Sequence, residues 1–587
     1  MKYWINQFAF VALGTLLGLS QVWSSALSIH ITPTVSGHRL QLDSLRYANG
    51  RETISVSRLS VLLTDFELQK SDGSWVKVAK KSENSILFVD ASKRLFSKQF
   101  SQTPVGDYRA IRFYVGPDAV TNHGDPARYP AKHALNPNHN QMHWDWQGGY
   151  IFFALEGFYR LKGAEHSGYV LHFANDVNRT LVTLPLKLNF RHPTRIDIAF
   201  DVASVLSVPQ SISFVEGASS HSREGDPMTA AIGANLPSAF QVKQVQQQVL
   251  VDKVVARKKP LYLPAAGKGF PFKMSSRFPV PSLPLDNPII EERVLLGQKL
   301  FHDKKLSRDH SISCASCHQV ENAFADRRRL SVGVGGEKGV RNSMPLFNLA
   351  WKDRFFWDGR AVSLREQVLM PIADHKEMAH DLPGLVTRLK ASDEYPALFA
   401  KAFQPADITP ETIALALENF LLTLTSYDSK FDRAMQGKLE LTDQEKRGFE
   451  LFMTEYEPRS RQYGADCFHC HGGALFSDHQ FHNNGLSLDS SDLGLHRVTG
   501  KVADKGKFAT PSLRNIALTA PYMHDGRFKT LEEVLQHYNT GIVRSDTLDP
   551  NLAKHPKSGI NLSPKDIAAL AAFLRTLTDQ KYLQPER

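Results

Sequence analysis

The chain has 587 residues, 42% of them hydrophobic, with 70 Lys and Arg against 60 Asp and Glu, 23 His and four Cys. That is enough apolar material for several domain cores, which excludes a disordered chain. The net charge of +10 is spread without a Lys/Arg block, so nothing points to nucleic acid, and a mild preference for acidic surfaces is all it supports.

Residues 1–26 open with one lysine, pass through an apolar run at 8–19 and reach small residues at Ser24-Ser25-Ala26. This is the layout of a secretory signal peptide, with an uncleaved anchor as the alternative. The apolar run is short for a membrane span and nothing later replaces it, so no stable span is expected. From about 27 to 206 the pattern has period two, within a domain placed at 27–250. Ile111, Phe113 and Val115 alternate with Arg112 and Tyr114, and Ile196, Ile198 and Phe200 with Asp197 and Ala199, which predicts an all-β, sandwich-like domain. Trp144 and Trp146 are two apart, so in a strand they share one face. Residues 251–285, rich in proline and glycine, read as a linker.

Beyond it the period becomes helical, and two mostly α, cytochrome c-like units are expected at 286–430 and 431–587. All four cysteines sit in two copies of one pattern, Cys314-Ala-Ser-Cys317-His318 and Cys467-Phe-His-Cys470-His471. C-x-x-C-H attaches c-type haem: both thiols bond to the porphyrin and the histidine ligates the iron. A disulfide loop or a zinc site would leave the histidine unexplained in both copies. Two covalently bound haem c groups are expected, in the periplasm, where such haem is attached.

The helical region also repeats itself. Leu296-Gly297 precedes the first motif as Arg447-Gly448 precedes the second, and Trp357-Asp358-Gly359-Arg360 corresponds to His524-Asp525-Gly526-Arg527, an offset of 524 − 357 = 167. The same offset carries Tyr538 onto Pro371, since 538 − 167 = 371. A tyrosine oxygen can ligate iron and a proline side chain cannot. On this reading the second haem is closed by Tyr538, and the first is open, with Glu377 as a candidate acid or base for peroxide. An ordinary core tyrosine is the alternative.

Residues from about 287 to 579 resemble the bacterial di-haem cytochrome c peroxidase and MauG superfamily in the blocks Arg341-Asn342-Ser343, Phe356-Trp357-Asp358-Gly359-Arg360, Glu377-Met378, Thr510-Pro511-Ser-Leu513-Arg514-Asn515 and Ala520-Pro521-Tyr522-Met523-His524-Asp525-Gly526. The resemblance implies an inter-haem relay at Trp357 and a distal glutamate at Glu377, with Gln367 and Pro371 lining the same pocket. It also implies a calcium ion held by Asn342, Thr519 and Pro521. Ordinary peroxidases of this family close the second haem with methionine and the first with a loop histidine. Here the 319–340 loop has no histidine and Tyr538 stands where the MauG branch has its tyrosine, Met523 and Met453 being minor alternatives. That branch, which includes MbnH, modifies protein side chains with peroxide.

Four segments of the β region, 108–116, 122–126, 133–137 and 142–150, resemble MbnP, a periplasmic copper-binding family, and the likeness runs over about 28–242. It implies that a tryptophan, Trp144 first and Trp146 second, is converted to kynurenine and helps to bind copper. Intact indole is a poor ligand, but ring opening leaves an amine and a carbonyl, and imidazole nitrogen suits copper. His30, His172 and His143 are the candidate partners, each with a structural role as the alternative. The expected function is oxidation of protein tryptophan by hydrogen peroxide, with the fused β domain as substrate. Two alternatives stand beside it: a detoxifying peroxidase fed by a small cytochrome or cupredoxin, and a copper-storage protein whose haem region serves only maturation.

Overall fold

The computed structural model describes residues 24–80, 84–144, 148–215, 217–247, 262–487 and 491–583. Most of the expected leader, Trp146 and residues 248–261 lie outside the described residues. Residues 24–26, assigned to the leader from sequence, begin the strand Ser24–Val35. Among the described residues no helix is long and apolar enough to cross a membrane.

The first part is built from two facing sheets. In one, Ser24–Val35 runs parallel to Thr194–Asp201, with Ile29 opposite Ile196 and Ile31 opposite Ile198. In the other, the order is Thr180–Phe190, Gly106–Val115, Arg58–Lys70, Gly149–Leu161, Ser167–Ala174 and Ser219–Ser220. Period two explains the packing: Ile111, Phe113 and Val115 are fully buried, because alternate side chains of a strand leave by one face. Phe113 meets Phe240 edge-on at 5.2 Å, and Phe153 meets Phe200 at 6.0 Å, which closes the two sheets on one core. Short helices, among them Val202–Ser207 and Pro227–Asn235, interrupt an otherwise β domain.

The second part is helical, and its repeat is visible in the backbone. The bridge Phe355–Ala361 recurs as Tyr522–Phe528, and the left-handed Asn348 recurs as Asn515, each 167 residues on. Helix Leu531–Thr540 corresponds to helix Leu364–Gln367, which ends four residues before Pro371, the chain restarting in the short helix Met370–Ala373. A proline inside a helix removes a donor and clashes with the preceding turn.

Each unit packs one helix pair through a glycine. Glu291–His302 crosses Pro410–Leu422, and a Cβ added to Gly297 would lie 2.0 Å from the Ala416 carbonyl oxygen; Asp443–Met453 crosses Pro564–Arg575, and a Cβ on Gly448 would lie 2.0 Å from that of Ala569. Helix propensity favours alanine over glycine by about 1 kcal/mol. Overpacking costs about 1–3 kcal/mol or more, and here the obstacle is backbone that cannot rotate away. Gly448→Ala is therefore expected to lower stability in denaturant titration. An unchanged midpoint would mean the helices separate freely.

Part of the expected linker is a strap instead. Phe278 is buried in the core of the first haem unit with Phe270, Phe272 and Met274 packed around it, the Trp351 indole N–H donates to the Pro279 carbonyl at 2.7 Å, and Arg293 Nη2 donates to the Tyr262 carbonyl at 2.8 Å. The Pro/Gly content hid these aromatic anchors. The C-terminal Tyr582 enters the same core beside Phe324, so the two haem units are interlocked across 430/431.

Candidate haem and redox sites

No cysteine is in a disulfide. His318 Nδ1 lies 2.9 Å from the Phe324 carbonyl and His471 Nδ1 3.2 Å from that of Phe476. A carbonyl only accepts, so each ring carries its proton on Nδ1 and keeps its lone pair on Nε2, the atom that would ligate iron. Two thiols and a so-oriented imidazole at each motif fit a covalently held haem.

The surroundings of the two motifs differ. At the first, Pro371 lies in the short helix Met370–Ala373, and its carbonyl accepts from the Met378 N–H at 3.1 Å, which folds Glu377 back toward the motif. Gln367 ends the preceding helical turn. Burial, with the Asp374 carboxylate adding to it and Arg360 opposing, pushes the Glu377 carboxyl up to about 7. At the second motif, Tyr538 projects from helix Leu531–Thr540, and its hydroxyl accepts from Asn484 Nδ2 at 3.2 Å. Asn484 Nδ2 also lies 3.5 Å from Met523 Sδ, so tyrosine and methionine border one space. Burial pushes the Tyr538 phenol up to about 12.

Trp357 lies on the seam between the units. Its indole N–H donates to the Asn342 carbonyl at 2.8 Å, and its own carbonyl accepts from the Ala509 N–H at 2.8 Å. The Asn342 N–H reaches the His524 carbonyl at 2.8 Å, on the segment that carries Thr519 and Pro521. Arg341 ties Asp358 of the first unit to Asp492 of the second, both at 2.6 Å.

A further cluster joins the β domain to the second unit. Trp144, 5% exposed, lies 5.8 Å from the His221 ring and 6.0 Å from that of His172. Those rings lie 5.1 and 5.5 Å from His469, which stands between the haem-binding Cys467 and Cys470. The domains meet closely here: a Cβ on Gly168 would lie 2.0 Å from the Pro550 carbonyl oxygen, Ser219 Oγ donates to Glu455 at 3.2 Å, and Arg459 donates to the Ser219 carbonyl.

Two of the three expected copper partners do not gather at Trp144. His30 sits in the other sheet, 2.6 Å from Ser97 Oγ and edge-on to Phe96. His143 precedes Trp144 on the strand His143–Trp144 and packs on Tyr150 at 4.7 Å, since neighbours on a strand leave by opposite faces. Only His172 stands beside Trp144 as expected.

The family profile described as di-haem cytochrome c peroxidase matches residues 291–440, a cytochrome c profile matches 446–578, and the MbnP profile matches 24–222. Methylamine utilization protein MauG of Methylophilus methylotrophus is 35% identical over 309 residues, covering 52% of this chain and 87% of that protein. The chain belongs to the di-haem cytochrome c peroxidase family. It is a di-haem peroxidase that also carries an MbnP domain. Cytochrome c551 peroxidase of Pseudomonas aeruginosa is 35% identical over 305 residues, covering 50% of this chain and 81% of that protein. Among solved structures, a MauG-like protein associated with microbial copper homeostasis is 36% identical, with a TM-score of 0.48, covering 54% of this chain and 97% of that one.

In this peroxidase the ring cluster continues into a buried charge network. His172 Nε2 lies 2.9 Å from Glu156 Oε1, which also accepts from Arg58 Nη1 at 2.8 Å. Burial holds the His172 ring down to about 4. His469 Nε2 lies 3.1 Å from Glu455 and 3.0 Å from Asp466, and Lys554 pairs with both carboxylates. Burial alone would lower His469; Asp466, with Glu455, overrides it and pushes the ring up to about 9. Sequence reading missed His221, His469, Glu156, Glu455 and Asn484. The one available signal was His469, which fills the variable third position of the second haem motif where Ser316 stands in the first.

Proposed function

We propose that this di-haem peroxidase uses hydrogen peroxide to oxidise Trp144 of its own β domain to kynurenine, in the periplasm, and that the product helps to hold copper. What carries the reading is the seating of Trp144, buried against His221 and His172, which touch His469 inside the second haem-binding loop. A substrate ring held there needs no diffusional encounter.

Bound haem would supply the chemistry of peroxide cleavage. Glu377 takes the peroxide proton and returns it to the departing water. Trp357 couples the two units, Tyr538 closes the second site, and Asn342, Thr519 and Pro521 hold a calcium ion beside the seam. The reaction balances with two peroxides: they add two oxygen atoms across the indole double bond and leave as two waters, opening the ring to N-formylkynurenine. One water then removes the formyl group as formate. The side chain exchanges one carbon for one oxygen.

The test is peptide mass analysis of the full-length holoprotein after peroxide. The Trp144 peptide is expected to gain about four daltons, distinct from the roughly sixteen of hydroxylation. A rate independent of protein concentration marks reaction within one chain, and a rate proportional to it marks reaction between chains. Peroxide consumed with Trp144 unchanged would leave a peroxidase fed by a small cytochrome or cupredoxin.

A further inference from the structure

We infer that Glu156 and His172 form a hydrolytic dyad that removes the formyl group from oxidised Trp144, so that the β domain carries an amide-hydrolysing activity of its own. This rests on the oxidation of Trp144 proposed above and names the groups that complete it. Ala154 pairs with His172 and Glu156 with Val170 on the strands Gly149–Leu161 and Ser167–Ala174, so Glu156 and His172 are diagonal neighbours on one face. The Trp144 ring lies 6.0 Å from that of His172, and both residues line one cavity with Arg58, Asn138, Ser477 and Asp478. Its room for water is about 90 Å³, against the roughly 10–15 Å³ that one water needs, and its walls offer polar partners.

The bonding of His172 fixes which nitrogen is the base. Its Nε2 lies 2.9 Å from Glu156 Oε1. Burial would raise that carboxyl, but Arg58 and His172 hold it well below the usual carboxylate range, so it is ionised and accepts. The His172 proton is therefore on Nε2 and the lone pair on Nδ1, which is buried and makes no hydrogen bond. An unused acceptor in that setting costs about 1–3 kcal/mol, which a water brought to it relieves. The neighbouring rings are less suited. His469 holds a proton between Asp466 and Glu455, and His221 Nε2 lies 3.1 Å from Glu455 Oε2 without a hydrogen bond.

Oxidation breaks the bond between Cγ and Cδ1 of the indole and leaves Cδ1 as a formyl carbon on the ring nitrogen. His172 Nδ1 takes one proton from a water while the water oxygen bonds to that carbon, whose carbonyl electron pair moves onto its own oxygen. As the pair returns, the carbon–nitrogen bond breaks and the departing nitrogen takes the proton from Nδ1. Formic acid leaves and ionises to formate, and no electrons enter or leave. Burial keeps the resting His172 neutral, and the Glu156 carboxylate answers the charge that the ring acquires when Nδ1 is protonated.

The test is a time course of the Trp144 peptide mass in full-length holoprotein given a pulse of peroxide that catalase then ends. Wild type is expected to pass through a gain of about thirty-two daltons, two oxygen atoms, before settling at about four. In His172→Gln the oxidised fraction is expected to keep the formyl mass, its conversion slowed by about 10²–10⁴-fold, the share of a positioned base. Glu156→Gln keeps the shape and removes the charge behind the ring, and should slow the same conversion by a smaller factor. Conversion at the wild-type rate in His172→Gln, or formyl-free product from the outset in that variant, would overturn the dyad. Should a variant leave Trp144 unoxidised, wild type stopped early and divided decides: the half unfolded in guanidinium should keep the formyl group that the native half loses, and equal loss in both would overturn the dyad. A wild-type Trp144 that gains no mass would sink the oxidation reading, whereas one that stops at the formyl mass would sink the dyad alone.

Discussion

Glu377→Gln is expected to lower peroxide turnover by about 10²–10⁴-fold, the range over which a positioned acid or base contributes, while both haems remain attached. Glutamine keeps the shape and removes the proton carrier. The pH dependence follows from the same carboxyl. Burial and Asp374 hold it up to about 7, so it is largely neutral below that pH and ionised above. A base that must accept a proton from peroxide works in the ionised form, and wild-type turnover should rise through about pH 7 and then level. The glutamine variant should show no such inflection. The stability consequence has the opposite sign. A carboxyl whose folded value is raised stabilises the neutral form, so its contribution is lost as pH rises from the unfolded value of about 4.5 to about 7. Glu377→Gln should therefore unfold at an equal or higher temperature than wild type at pH 8. A variant that loses activity because it has lost stability would remove Glu377 from the chemistry.

Trp357→Phe is expected to keep peroxide consumption but lower the yield of modified Trp144 per peroxide by about a hundredfold or more, the scale on which small misplacements between reacting groups act. Phenylalanine preserves an aromatic ring in the seam yet cannot donate to the Asn342 carbonyl, which Trp357 reaches at 2.8 Å. An unsatisfied buried acceptor costs about 1–3 kcal/mol, so some loss of stability is also expected. Trp351 provides the control. It is buried, and its indole N–H donates to the Pro279 carbonyl at 2.7 Å, but it stands in the core of the first unit. Trp351→Phe should cost similar stability and leave the yield of modified Trp144 near wild type. Equal yields from the two variants would mean that the seam tryptophan carries no electrons.

Much of the architecture was readable because it is local in the chain. A haem motif occupies five consecutive residues, a strand shows its buried face at every second position, and the 167-residue offset that pairs Phe355–Ala361 with Tyr522–Phe528 is visible to any internal comparison. Composition misled where a few anchors outweigh many turn residues: 262–285 reads as linker, yet Phe270, Phe272 and Phe278 bind it to the first haem unit.

The copper candidates show what the sequence could not reach. His30 and His172 both lie on strands, and periodicity cannot say which sheet each strand enters; pairing put His30 beside Asp197 and Ser97, and His172 beside Ala154. His221 and His469 are 248 positions apart (469 − 221) and belong to different domains. Only docking of the Ser167–Ala174 strand against Pro550–Ala553 brings them together. Such docking rests on shape and a few buried charges, which leave no period in the chain. The haem attachment sites were therefore determined by sequence alone, and the site they face was decided by the tertiary structure.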